Sequence, residues 1–170
     1  MRDLIHPPLV IYYRGNIKLL ANRDYILTIT GSIETDNSYA FKQTEEIASK
    51  VTEHGVFVMS GLSRGTQQKA IEAALSKGPA IVVLGSGIKN SYPKEAAPLQ
   101  EKACKKGLVL SFFPDNCFAS ADKMRERNAF LGQACRLLFF PNLRYNDGNA
   151  LILRVALSCG IDVGCLPYPA

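Results

Sequence analysis

Three times between Tyr25 and Gly87 a short apolar run rich in β-branched residues stops at a turn of glycine and serine. The first two turns give way to apolar residues at helical spacing. Tyr25–Thr30 runs into Gly31-Ser32, then Ala40, Thr44, Ile47, Ala48 and Val51; Val56–Met59 runs into Ser60–Gly65, then Ala70, Ile71, Ala74 and Leu75; Ala80–Leu84 ends at Gly85-Ser86-Gly87. Each reads as the start of a strand–turn–helix unit. The alternation continues with a helix over Lys94–Lys106 and a strand over Leu108–Ser111, a helix over Met124–Gln133 and a strand over Arg136–Phe140, and a helix over Asn149–Leu157 with a last strand over Ile161–Leu166. Strands that read as apolar runs, separated by helices, demand a mostly parallel sheet buried on both faces and joined by right-handed crossovers. The predicted class is α/β, doubly wound and Rossmann-like.

A length of 170 residues suits one such domain over 25–170. Residues 1–24, with Pro7-Pro8 ahead of Val10–Tyr13, read as an extended N-terminal lead-in that supplies an edge strand. Pro114–Lys123, rich in small and polar residues, is expected to be a mobile loop. The five cysteines include no C-x-x-C pair, which predicts reduced thiols, no metal site and a cytoplasmic protein. No apolar stretch reaches the roughly 18 residues of a membrane span.

Ligands of open parallel sheets collect at the carboxyl ends of the strands, where these small-residue turns converge. Glycine admits close approach, serine offers a hydroxyl, and the amides opening the next helix attract anions. The turns therefore nominate Gly31, Ser32, Ser60, Gly61, Ser63, Gly65, Gly85 and Gly87 as phosphate-binding positions, with Arg64 adding a planar cationic fork. Lys123, Arg127 and Asn128 extend the set, because Lys123 and Arg127 fall on one helical face and suit successive phosphates of a strand. One of Phe112 and Phe113 is expected in the core, leaving the other to stack on bases.

Enzymatic readings fare worse. Gly85–Asn90 lacks the third glycine of a dinucleotide fingerprint, and the chain has no Walker motif, so no cofactor is expected. Gly61–Gly65 fits G-x-S-x-G, but both histidines, His6 and His54, precede Ser63, the reverse of the hydrolase order. His54 closes a helix and is expected to meet its terminal carbonyls.

In order, Tyr12–Asn16, Gly31-Ser32, Ser60–Gly65, Gly85–Ile88 with Tyr92-Pro93 and Leu99, and Arg127-Asn128 follow a known pattern. The chain resembles the core domain of the bacterial DNA-processing protein A family, also called Smf (DprA/Smf). The resemblance implies an extended Rossmann fold, binding of single-stranded DNA rather than catalysis, a recombinase partner, homodimers and a role in natural transformation. Ile33, Gln67, Ile71, Lys89 and Ala129 depart from the family's polar anchors, and Asp147–Leu153 keeps only a glycine and a leucine of its late segment. Lost arginines leave open a small-nucleotide ligand in place of DNA. Ala150–Leu157, apolar except for Arg154, leaves open a structural or partner-binding role through a self-complementary surface.

Overall fold

The computed structural model describes residues 4–5, 7–32, 38–143 and 148–167. His6, Ile33 and Asp147, singled out above, lie outside the described residues. Seven strands form one sheet: β1 Tyr12–Gly15, β2 Ile26–Ile29, β3 Phe57–Ser60, β4 Ala80–Leu84, β5 Leu108–Ser111, β6 Leu137–Phe140 and β7 Asp162–Cys165, in the order β1-β5-β4-β3-β2-β6-β7. All neighbours are parallel except β1, which runs antiparallel to β5 with Tyr12 opposite Ser111. The lead-in thus supplies an edge strand, as the two prolines upstream require. The doubly wound class holds.

Five helices cover the sheet: α1 Ser38–Glu53, α2 Thr66–Lys77, α3 Ala97–Lys106, α4 Ala121–Gln133 and α5 Asn149–Ser158. Adjacent strand residues point to opposite faces, so the core divides in two. Ile29, Val58 and Val82 pack with Ala48 of α1, Ile71 and Leu75 of α2 and Ala103 of α3. Met59, Ile81, Leu110 and Leu138 pack with Phe130 and Leu131 of α4 and Ile152 of α5. Each fully buried Leu or Ile in these layers contributes about 1.5–3 kcal/mol relative to exposure.

The helix expected from Met124 begins three residues earlier, at Ala121, because the Ser120 hydroxyl accepts the Lys123 amide and caps it. The supposed mobile loop is correspondingly shorter, and it is tied down: the Gly87 amide donates to the Cys117 carbonyl at 2.8 Å and Asn90 Nδ2 to the Asp115 carbonyl at 2.9 Å. Helix α5 is half-buried, with Ile152 and Ala156 inward and Leu157 exposed. No helix among the described residues is long and apolar enough to cross a membrane.

The chain winds outward from β2 through β3, β4 and β5, then returns to place β6 on the other side of β2. The break in winding between β2 and β6 is the switch point at which such sheets form a crevice.

Candidate functional site

At the end of β2 the turn Thr30-Gly31-Ser32 is buried and tied within the protein. Asn142, just beyond β6, accepts the Ser32 amide at 3.0 Å and the Thr66 hydroxyl at 3.1 Å through Oδ1. An added Cβ on Gly31 would land on that same carboxamide. Asn149, opening α5, donates to the Gly31 carbonyl at 2.9 Å and accepts the Thr30 hydroxyl at 2.7 Å. Asn142 Nδ2 is buried here with no hydrogen-bond partner among the described residues.

The second turn is filled in the same way. The Ser60 hydroxyl donates to the Ile29 carbonyl at 2.6 Å, and the Ser63 amide donates to Gln67 Oε1 at 3.1 Å. Gln67 Nε2 reaches Thr30 Oγ1 at 2.8 Å, joining the first two turns. Arg127 enters this network from α4: Nε and Nη2 donate to Asn128 Oδ1 at 3.0 and 2.6 Å, and Nη1 lies 3.5 Å from Gln67 Oε1. Asn128 Nδ2 in turn donates to the Gly148 carbonyl at 3.0 Å. Gly61 is needed because a side chain there would strike Arg127 and Gln67. Arg127 is only 4% exposed, and no carboxylate among the described residues pairs with it. Burial alone pulls its pKa down to about 10, so a full charge sits under the switch point without a counter-charge.

The third turn serves loop packing. Gly85 leaves room for Met124 of α4, and Gly87 for the backbone of Pro114 and Asp115. Ser86 donates from its hydroxyl to the Asn90 carbonyl at 2.6 Å.

The expectation of three open amide rims is therefore corrected: carboxamides and carbonyls of the chain itself take up the Ser32, Ser63 and Gly87 amides. Lys123 and Arg127 do not share an exposed face either, since Lys123 is half-buried at the rim and Arg127 is interior. What opens to solvent is a cleft of about 730 Å3 at the carboxyl ends of β3, β4 and β5. Ser63 and Arg64 from the β3–α2 loop, Tyr92–Glu95 from the β4–α3 connection, and Ala119–Ala121 with Met124 from the start of α4 form its walls. Gly65, at φ 80°, turns the chain from Arg64 into α2, a conformation that favours glycine.

Charges in and beside the cleft are mostly matched. Arg64 Nη2 lies 2.7 Å from Glu95 Oε1, Lys89 pairs with Asp115 at 2.9 Å, and Arg125 pairs with Asp122. Glu95's own backbone amide and the Arg64 guanidinium hold its carboxyl below the usual range. Lys94 and Lys123 have no carboxylate partner among the described residues; Lys123 Nζ lies 3.4 Å from Ser120 Oγ and 5.8 Å from the centre of the Phe113 ring. Phe112 packs on Phe130 with centroids 5.0 Å apart and leans against the core, but it is only partly buried, as is Phe113, so the expected division into one core residue and one free ring is not made. His54 Nδ1 donates to the Lys50 carbonyl at 2.8 Å, the helix-end contact expected of it.

Sequence reasoning did not assign Lys94, Tyr92, Glu95 or Asn142 to the site. The first three were within reach, because Tyr92-Pro93-Lys94-Glu95 follows the third turn and must lie on the same sheet edge. Asn142 left no local signal.

Comparisons agree with this fold. The family description DNA recombination-mediator protein A matches residues 1–170. The DNA processing protein DprA of Streptococcus pneumoniae is 26% identical over 168 residues, covering 98% of this chain and 58% of that protein. Protein Smf of Synechocystis is also 26% identical, covering 97% of this chain and 42% of that protein. The chain thus spans about half the length of these curated relatives. Among solved structures, Helicobacter pylori DNA processing protein A, described for its single-stranded DNA binding mode, superimposes with a TM-score of 0.91 at 22% identity, covering 98% of this chain and 76% of that one. The Streptococcus pneumoniae DprA crystal structure gives 0.90 at 25% identity over 99% of this chain and 58% of that one. The molybdenum cofactor binding protein of Rippkaea orientalis shares the fold more distantly, at 0.63 and 15% identity over 86% of this chain and 78% of that one. With the family description matched along its whole length, the chain belongs to the DNA recombination-mediator protein A family.

Proposed function

We propose that this chain binds single-stranded DNA through its backbone phosphates, along the cleft at the ends of β3, β4 and β5, and acts without bond chemistry of its own as a recombination mediator. The observation that carries the reading is the meeting of Arg64 and Lys94, from two connections, with Lys123 of the first turn of α4, in or beside one open cleft. Cations on different elements space themselves along a backbone, whereas a mononucleotide offers charge at one point. The partly buried Phe113, and Tyr92 at 56% and Phe118 at 75% exposed, give bases apolar faces nearby; stacking of this kind contributes about 1–3 kcal/mol per base. The buried charge of Arg127 under the adjacent switch point adds positive potential. The names of the relatives and the described DNA-binding mode of the Helicobacter pylori protein support the same ligand.

The phosphate-binding set is thereby Arg64, Lys94 and Lys123, with Ser63 in the cleft wall and Gly65 turning the chain behind Arg64, while Gly31, Ser32, Ser60, Gly61, Gly85, Gly87, Arg127 and Asn128 support the loops from within. A strand-exchange recombinase is the partner that the family description implies. A second copy of the chain would meet it at α5 and the outer edge of β7, where Leu157 is 61% exposed; light scattering that finds only monomers rejects that surface.

Fluorescence anisotropy of labelled oligo(dT) tests the central reading. Three neutralised phosphates give a log–log salt slope of about −2, at roughly −0.7 each. Absence of salt-sensitive binding at micromolar protein rejects it, and a mononucleotide raising the melting temperature with no DNA effect replaces it with the small-ligand alternative.

A further inference from the structure

We infer that Glu95 is an internal competitor for the phosphate-binding guanidinium of Arg64, an inference that rests on the single-stranded DNA reading of the cleft. The two side chains come from different connections, join by one contact of 2.7 Å, and are both 66% exposed. A pair this open holds weakly, with a population bias of at most about fivefold. A phosphate, by contrast, accepts two hydrogens from a guanidinium fork at once, which makes the exchange favourable when a strand is already held nearby.

The surrounding charges give the exchange its consequence. Lys89 and Arg125 are matched by Asp115 and Asp122, so the cleft at rest presents Lys94 and Lys123 while Glu95 cancels Arg64. A strand first meets the two lysines; Arg64 joins only after it leaves the carboxylate. The apparent affinity is lowered by the fraction of Arg64 held in the pair, as for any site whose competent state is partly populated. Glu95 thus sets how tightly the strand is held and keeps it releasable.

The experiment compares oligo(dT) binding at low salt for the parent, Glu95→Gln, Arg64→Ala and the double variant, with Glu101→Gln as a charge control. Glu101 pairs with Arg14 of the β1 edge strand, outside the cleft, so its substitution changes net charge equally without touching Arg64. Expected are about three- to fivefold tighter binding for Glu95→Gln, little change for Glu101→Gln, and no gain from Glu95→Gln when Arg64 is alanine. If the parent binds and Glu95→Gln binds equally or more weakly, Glu95 supports Arg64 instead, and the inference fails while the DNA reading stands. A gain that persists without Arg64 is a general field effect and also overturns it. If no variant binds, Glu95→Gln included, both fail together. Equal melting temperatures of Glu95→Gln and the parent exclude a folding explanation.

Discussion

Asn142 Oδ1, just past β6, accepts the amide hydrogen of Ser32, just past β2, at 3.0 Å, so the first glycine–serine turn is capped from across the switch point by the chain itself. The same oxygen accepts the Thr66 hydroxyl, while Asn142 Nδ2 stays buried with no partner among the described residues. An oxygen in this position does for the turn what an anion would do in an open crevice.

Asn142→Ala removes the acceptor of two donors, and the expected cost is about 1–3 kcal/mol. Thermal melting measures it. Added sulfate should recover more of the melting temperature for the variant than for the parent, because the freed amide then donates to an external oxyanion. A variant as stable as the parent would show that the capping contacts contribute nothing in solution.

Lys94→Ala and Lys123→Ala are each expected to weaken oligo(dT) binding and to make the salt slope shallower by about 0.7, the value for one phosphate on a single strand. Lys102→Ala, on α3 outside the cleft walls, is the control. A uniform loss across all three variants would mean that overall charge, not the cleft, attracts the strand.

The sheet could be read from the chain because its information is local: a run such as Ala80–Leu84 is apolar throughout and bounded by turn residues, and it appears in the structure over those same residues. The site was harder. Small residues after β2, β3 and β4 marked the sheet edge at which the cleft opens, but whether their amides are free depends on partners far away in sequence. Ser32 and Asn142 are 110 positions apart, and Gln67 meets Arg127 across 60. Neither carboxamide has a periodicity or motif that announces its role. Arg127 illustrates the same limit, since helical spacing put it in register with Lys123 while the depth of α4 against the sheet put it inside.

Gly87→Ala tests whether the third turn packs loops or holds a ligand. The added methyl would land on the carbonyls of Pro114 and Asp115, which belong to main chain and cannot rotate away. Overpacking of this kind costs about 1–3 kcal/mol. The expected result is a lower melting temperature with nearly unchanged affinity of the folded fraction for oligo(dT). Unchanged stability with lost binding would instead make Gly87 a direct contact.

Arg127 is a buried guanidinium with hydrogen bonds but no carboxylate partner among the described residues. A base whose pKa falls on folding, here to about 10, costs stability at every pH below that value, with relief only as pH rises past it. At neutral pH the shift corresponds to about 3 kcal/mol. Arg127→Met keeps an unbranched side chain and removes the charge, and it strands the Asn128 Oδ1 acceptor at about 1–3 kcal/mol, while Gln67 Oε1 retains the Ser63 amide. The two effects nearly cancel, so the variant should melt within a few degrees of the parent. Binding of oligo(dT) should fall about threefold or more as the positive potential under the switch point, beside the cleft, is lost. A variant that loses more than about 2 kcal/mol yet binds normally when folded would make Arg127 a purely architectural residue, and the charge under the switch point would have no part in holding DNA.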